Sequence, residues 1–219
     1  MNETTRDRLI RVARRVFAER GYEAASIREI TAAAEANLGA ITYHFGSKQA
    51  LYEAVLDSVL EPLAARLGIG VGPLGATLKR GGEAPAAGEG TPLERIDAIV
   101  SVLFDHLAAN PDLQLLVMQQ AVTRQALPDP LRARFGLLLE RLANEVRAGQ
   151  REGSIRAGDA MLTALSLLAQ PMYFGLVGRL APDRLKGESG APPSAAMISS
   201  HARRFIRAGL AAGTEGENG

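Results

Sequence analysis

Residues 26–48 read SIREITAAAEANLGAITYHFGSK, and the fold turns on how this stretch is punctuated. Ser26 with Glu29 makes an S-x-x-E capping box, in which Ser26 accepts from the N–H of Glu29 and Glu29 reaches back. A short helix follows, with Ile27, Ile30 and Ala34 facing inward. Asn37 reads as the N-cap of a second short helix whose apolar side is Leu38, Ile41 and Phe45. Gly46 and Ser47 break that helix, and Ser47 caps a long one carrying Leu51, Val55, Leu56, Val59, Leu60 and Leu63 at helical spacing. Upstream, Leu9, Ile10, Ala13, Val16 and Phe17 form one face of a helix over 6–20, and Gly21 falls where a left-handed C-terminal residue is wanted. Three short helices, two joined by a tight turn, read as a helix-turn-helix module, although many helical bundles open the same way.

Working outward, the composition changes at Gly68. Residues 68–91 hold eight glycines and two prolines, which a helix interior cannot absorb, so a flexible linker or a long mobile loop is expected there. Beyond it the apolar spacing predicts helices over about 93–107, 111–124, 130–148, 159–180 and 194–211, separated by Pro/Gly-rich turns. No alternating strand pattern of useful length appears. The expected architecture is all-α: a helix-turn-helix domain over 4–64, the linker over 68–91, and a larger helical domain over 92–212.

The chain is 219 residues with no cysteine and three histidines far apart, His44, His106 and His201. That excludes disulfides, thiol nucleophiles and Cys-ligated metals, and no metal or cofactor is expected. No convergent acid/base set, G-x-S-x-G or P-loop is present, so an enzyme is not expected. The segment 160–177 carries no charge. Its polar Thr163, Ser166 and Gln170 favour a helix buried in protein over a membrane span. MNETTRDRLI has acidic residues and no apolar core of about 7–15 residues, so no secretory signal is expected and a cytoplasmic protein is. Formal charge is +1, and residues 1–48 carry eight basic and six acidic side chains. Any attraction to nucleic acid must therefore come from placement, with a shallow salt dependence for non-specific duplex.

The stretches FAERGY (17–22), SIREI (26–30) and NLGAITYHFGSK (37–48), and above all ITYHFGSKQALYEAV (41–55), resemble the TetR family of bacterial transcriptional regulators. The resemblance covers about residues 4–64. It implies a homodimeric repressor with a double-stranded palindromic operator as partner. It also implies a small apolar or amphipathic inducer held inside the C-terminal domain, and dimerisation through about 160–180 and 194–211. Inducer and operator binding would then weaken each other reciprocally.

The DNA-contact set read this way is Ser26, Arg28, Asn37, Gly39, Ala40, Thr42, Tyr43, His44 and Lys48. Gly39, Ala40 and Thr42 offer a small face to the major groove, and Thr42 and Ala40 suit a thymine methyl. Tyr43, His44 and Lys48 are family phosphate positions, with Ser26 and Arg28 on the opposite track. Second readings stand beside these: Ser26 as a cap only, Tyr43 as half-buried packing, His44 as a structural hydrogen-bonder, Arg28 as a solvated charge. Ile30, Leu38, Ile41 and Phe45 are assigned to the core. Glu35 stands where the family often has glycine in the turn. Candidate inducer contacts are Phe104, His106, Met118, Gln119, Phe135, Met161, Gln170, Met172 and Tyr173, with core packing as the other reading. The rival overall reading is a helical-bundle small-molecule binder or enzyme with no DNA role.

Overall fold

A computed structural model describes residues 3–69, 90–122, 129–181, 183, 186 and 190–212. Among these the protein is all-α. The helices are α1 (Thr5–Ala24), α2 (Ile27–Ala33), α3 (Gly39–Phe45), α4 (Lys48–Arg66), α5 (Pro92–Ala109), α6 (Pro111–Val122), α7 (Asp129–Arg151), α8 (Ala160–Leu180) and α9 (Ala195–Leu210). Most of the linker expected at 68–91 lies outside the described residues. The expected cap at Ser47 forms, its Oγ accepting from the N–H of Ala50 at 3.1 Å, and α8 is capped by Asp159, which accepts from the N–H of Leu162 at 2.8 Å.

The described residues form two compact units that do not follow the chain order. One holds α1–α4 together with α6. The other holds α5, α8, α9 and α7 from residue 134 onward. The division at residue 92 therefore needs correction, because α6 belongs with the N-terminal helices. The reason is polar as well as apolar. Arg14 donates to Asp112 at 2.9 Å and to Asn110 at 3.1 Å, and Gln119 donates to the carbonyl of Ala18 at 2.9 Å.

In the first unit Leu9, Phe17, Ile30, Ile41, Leu51 and Val55 are closed off from solvent. Helix α1 is interrupted at Gly21 (φ 82°, ψ 165°), a backbone conformation that glycine adopts without a Cβ clash. Arg8 crosses from α1 to donate to the carbonyl of Ala34 at 2.7 Å, and this fixes α2 and the turn after it.

In the second unit Ile96, Val100, Leu142, Val146 and Ala164 make the core. Three ion pairs join its helices. Arg95 meets Glu145 at 2.7 Å between α5 and α7, and Arg203 and Arg207 of α9 converge on the buried Asp97 of α5. The stretch after α7 pairs with the end of α9 through an isolated bridge, Ile155 to Ala211. Ile155 leans onto Gly149, where a Cβ would stand 2.6 Å from its Cγ1. Only glycine allows that approach.

Helix α8 does not meet the expectation of burial. It is long and apolar enough to cross a membrane by length and composition, and 22% of its most apolar window is buried. Ala160, Ala164, Leu167, Leu168 and Pro171 face inward, while Leu162, Leu165, Tyr173 and Leu180 are exposed. A single unit has too few neighbours to cover a helix that is apolar all round.

Candidate nucleic-acid interface

Helices α2 and α3 are seven residues each, too short to hold their own shape in water. They are held by what they pack on. Ile30 and Ile41 enter the core, and Arg20 of α1 pairs with Glu29 of α2 at 2.9 Å. That pair replaces the reciprocal half of the capping box. Ser26 Oγ accepts from the N–H of Arg28 at 3.2 Å rather than from Glu29.

The turn between the helices runs through Glu35 at φ +49°, the one non-glycine residue with positive φ among those described. The Glu35 and Ala36 N–H groups donate back to Ala32 (3.1 Å) and Thr31 (2.9 Å). The tight turn thus forms at the anticipated place, against the Cβ strain of about 1–2 kcal/mol that a left-handed residue carries. Glu35→Gly is expected to raise stability by about 0.5–1 kcal/mol. It relieves that strain and forfeits part of the gain to the freer unfolded glycine. Urea unfolding midpoints check the sign.

Helix α3 begins one residue later than anticipated. Leu38 is its N-cap residue with no side-chain cap bond, so Asn37 does not cap it, although the Asn37 carbonyl accepts from Ala40 at 3.0 Å. The helix is also rotated about its axis relative to the sequence reading. Ala40 (8% exposed) and Ile41 are buried, and Leu38 is 52% exposed. Two assignments change with it: Ala40 is packed inside the head and cannot touch a base edge, and Leu38 leaves the core for the surface. Phe45 is half-buried.

What remains outward on α2 and α3 is a coherent face. Ser26, Arg28, Asn37, Gly39 and Thr42 are exposed, and Tyr43 is 85% exposed, which removes the packing reading for its ring. His44 is half-buried with its ring against Tyr43 and Phe45, at 4.9 and 6.2 Å between centroids. Lys48 donates to the Glu23 carbonyl at 3.2 Å, and its ammonium lies 4.5 Å from the centre of the Tyr22 ring. Burial first, then Glu23 and Glu53, push the Tyr22 phenol above its usual pKa, so the ring stays neutral beside the cation. Arg6, not singled out from the sequence, is exposed at the start of α1 with its guanidinium 5.3 Å from the Phe45 ring centre. The signal for it was the i-to-far pairing of a cation with an aromatic, which no local pattern carries.

The inducer candidates fall in both units. Met118 and Gln119 are on α6 in the first unit, where Gln119 is spent on the Ala18 carbonyl. Phe135 (39% exposed) and Tyr173 (63%) face outward. Phe104 and His106 are buried on α5, with the Phe104 ring 6.2 Å from Phe174. Met161 and Met172 are half-buried. Gln170 lines an open groove of about 310 Å³ with Ile155, Leu162 and Phe205. Helical spacing identifies each of these residues within its own helix and says nothing of which helices meet.

Residues 9–55 match the family model described as bacterial regulatory proteins, tetR family. Over 179 residues the chain is 26% identical to the HTH-type transcriptional repressor NicS of Pseudomonas putida, covering 78% of this chain and 76% of that protein. Its fold resembles that of the ketosteroid transcriptional regulator KstR2 of Mycobacterium tuberculosis, with a TM-score of 0.71 at 20% identity, covering 96% and 97% of the two chains. It also resembles AibR, solved in complex with isovaleryl coenzyme A and operator DNA, with a TM-score of 0.69 at 16% identity over 92% and 97%.

Proposed function

From a chain that carries the helix-turn-helix head of the tetR family of bacterial regulatory proteins, we propose a homodimeric repressor. It binds a palindromic operator through two copies of α2–turn–α3 and releases it when a small apolar or amphipathic molecule binds the second unit. The observation that carries this reading is the outward face of α3. Thr42 and an almost fully exposed Tyr43 stand on a short helix whose opposite side is locked into a core. A protein has no folding reason to hold an aromatic ring in solvent there. A helix of this kind fits a major groove about 12 Å wide. Ser26 and Arg28 head α2, from which they would take phosphates beside those taken by Tyr43 and Lys48.

Dimerisation is supported by the second unit. Leu162, Leu165, Tyr173 and Leu180 on α8 and Met197 and Phe205 on α9 are exposed large apolar side chains. Covering them with a two-fold copy removes a liability that a monomer would carry in water. An inducer is supported by the open groove of about 310 Å³ beside α8 and α9, and by the fold neighbour AibR, solved in complex with isovaleryl coenzyme A and operator DNA. No group of acid or imidazole side chains able to hold a metal occurs among the described residues. The protein is read as a cytoplasmic binder and not as a catalyst.

The test is a mobility shift with the DNA upstream of the protein's own gene, alongside light scattering. The wild-type protein is expected to shift a palindromic fragment as a dimer. Tyr43→Ala should weaken it roughly tenfold, the loss of one net hydrogen bond in each half-site. Because Tyr43 is so exposed, its removal is expected to leave the thermal melt unchanged. A monomer at micromolar concentration, or a shift that Tyr43→Ala leaves unchanged, would sink the proposal.

A further inference from the structure

The outward side of α3 carries no charge. Its exposed residues are Leu38, Gly39, Thr42 and Tyr43. Leu38 and Thr42 are four apart on a continuous helical path, Leu38 itself having helical φ and ψ (−58°, −34°). Such residues lie on one side of a helix with their side chains adjoining, so the Leu38 isobutyl group and the Thr42 methyl share one stripe. Between them and Tyr43 sits Gly39. The nearest atom to the place its Cβ would take is Asn37 Oδ1 at 3.6 Å. The backbone can therefore come close to whatever α3 meets.

Leu38 has no hydrogen bond to offer a base edge and no cation to offer a phosphate. The major-groove edges of the four base pairs present donors, acceptors and a single apolar feature, the C5-methyl group of thymine. We infer that Leu38 reads a thymine methyl in each half-site, with the Thr42 methyl beside it on the same group. This rests on α3 being the recognition helix, and it names what that helix distinguishes. The rotation of α3 is what makes it possible: the small residue meant for this task, Ala40, is inside the head, and the large apolar residue is outside.

The experiment begins with the full-length protein selecting duplexes from a random library. In the tightest duplex, thymines are then replaced one at a time by deoxyuridine, which removes only the methyl group. Affinity is read by fluorescence anisotropy at one salt concentration. Wild-type protein is expected to show one thymine per half-site whose demethylation weakens binding about fourfold, and about fifteenfold when both half-sites are changed. Those are the values for burying one and two methyl groups. Leu38→Ala, and Leu38→Gln at nearly wild-type size, should lose most of that preference for thymine over uracil. Their unchanged thermal melts would show that the head still folds.

If wild-type protein is indifferent to every uracil, or Leu38→Ala keeps the full methyl preference, the assignment to Leu38 is overturned while the regulator reading stands. If selection enriches no duplex at all, the regulator reading falls and takes this assignment with it.

Discussion

Phe17→Ala is expected to cost about 3–5 kcal/mol of stability and, on the proposed function, to abolish operator binding. Phe17 is completely buried, and it is the meeting point of the head. Its ring stands edge-on to Tyr52 of α4 at 5.0 Å between centroids and stacks at 6.0 Å with Tyr22 from the end of α1. Tyr22 and Tyr52 are themselves 5.1 Å apart, so three rings close a triangle between α1 and α4. Beyond the area buried, each well-oriented aromatic pair adds roughly 0.5–1.5 kcal/mol. Truncation leaves a cavity with two rings that cannot collapse into it.

The effect on DNA follows through Lys48, whose ammonium rests over Tyr22 and on the Glu23 carbonyl. Helices α2 and α3 have no stability of their own to fall back on. Domains are typically stable by about 5–15 kcal/mol, so this one substitution removes a large share. Urea unfolding followed by circular dichroism reads it. A loss below about 1 kcal/mol would mean that the triangle is incidental to the head.

The second large effect concerns Asp97. Its carboxylate is buried, with a side-chain exposure of 7%, and it receives Arg203 through both of its oxygens and Arg207 at 3.1 Å. Ser101 holds the same guanidinium at 3.3 Å. Breaking a fully buried pair costs about 3–5 kcal/mol. Here the arginines are 35% and 52% exposed and can rehydrate, so Asp97→Asn is expected to cost about 2–3 kcal/mol at neutral pH.

The same group sets an acid limit. Hydrogen bonding from Arg203 above all, and then from Arg207, holds the Asp97 carboxyl below its ordinary value against the opposing effect of burial. A carboxyl lowered on folding stabilises the protein above its unfolded pKa, about 3.9, and that contribution is lost as pH falls through the lower folded value. Wild type and Asp97→Asn should therefore differ in thermal midpoint at pH 7 and converge below about pH 4. A gap that persists in acid would show that the pair is not what joins α5 to α9. Because α9 carries the exposed Met197 and Phe205, loosening it should also weaken the proposed dimer.

Much of this protein can be read from its residues in order. The order of the helices among the described residues, the cap at Ser47 and the breaks at glycine and proline are local matters, settled by which backbone groups a nearby side chain can satisfy. The motif at 41–55 carried the resemblance to the tetR family for the same reason, because its turn chemistry and spacing are written in adjacent positions. The turn through Glu35 was visible too, as a residue standing where glycine would be easier.

The rest depended on contacts between distant segments. Periodicity says which residues share a face and leaves open which face meets the core. In a seven-residue helix, fewer than two turns, a shift of one position rotates the pattern by about 100°. That is why Ala40 and Leu38 exchange places, and with them the candidate reader of the operator. The company of α6 was set by Arg14 reaching Asp112 and Gln119 reaching Ala18, pairings separated by 98 and 101 positions. The half-bare surface of α8 has the same origin. Its composition demands burial all round, and only packing determines how much of that burial one copy of the chain supplies.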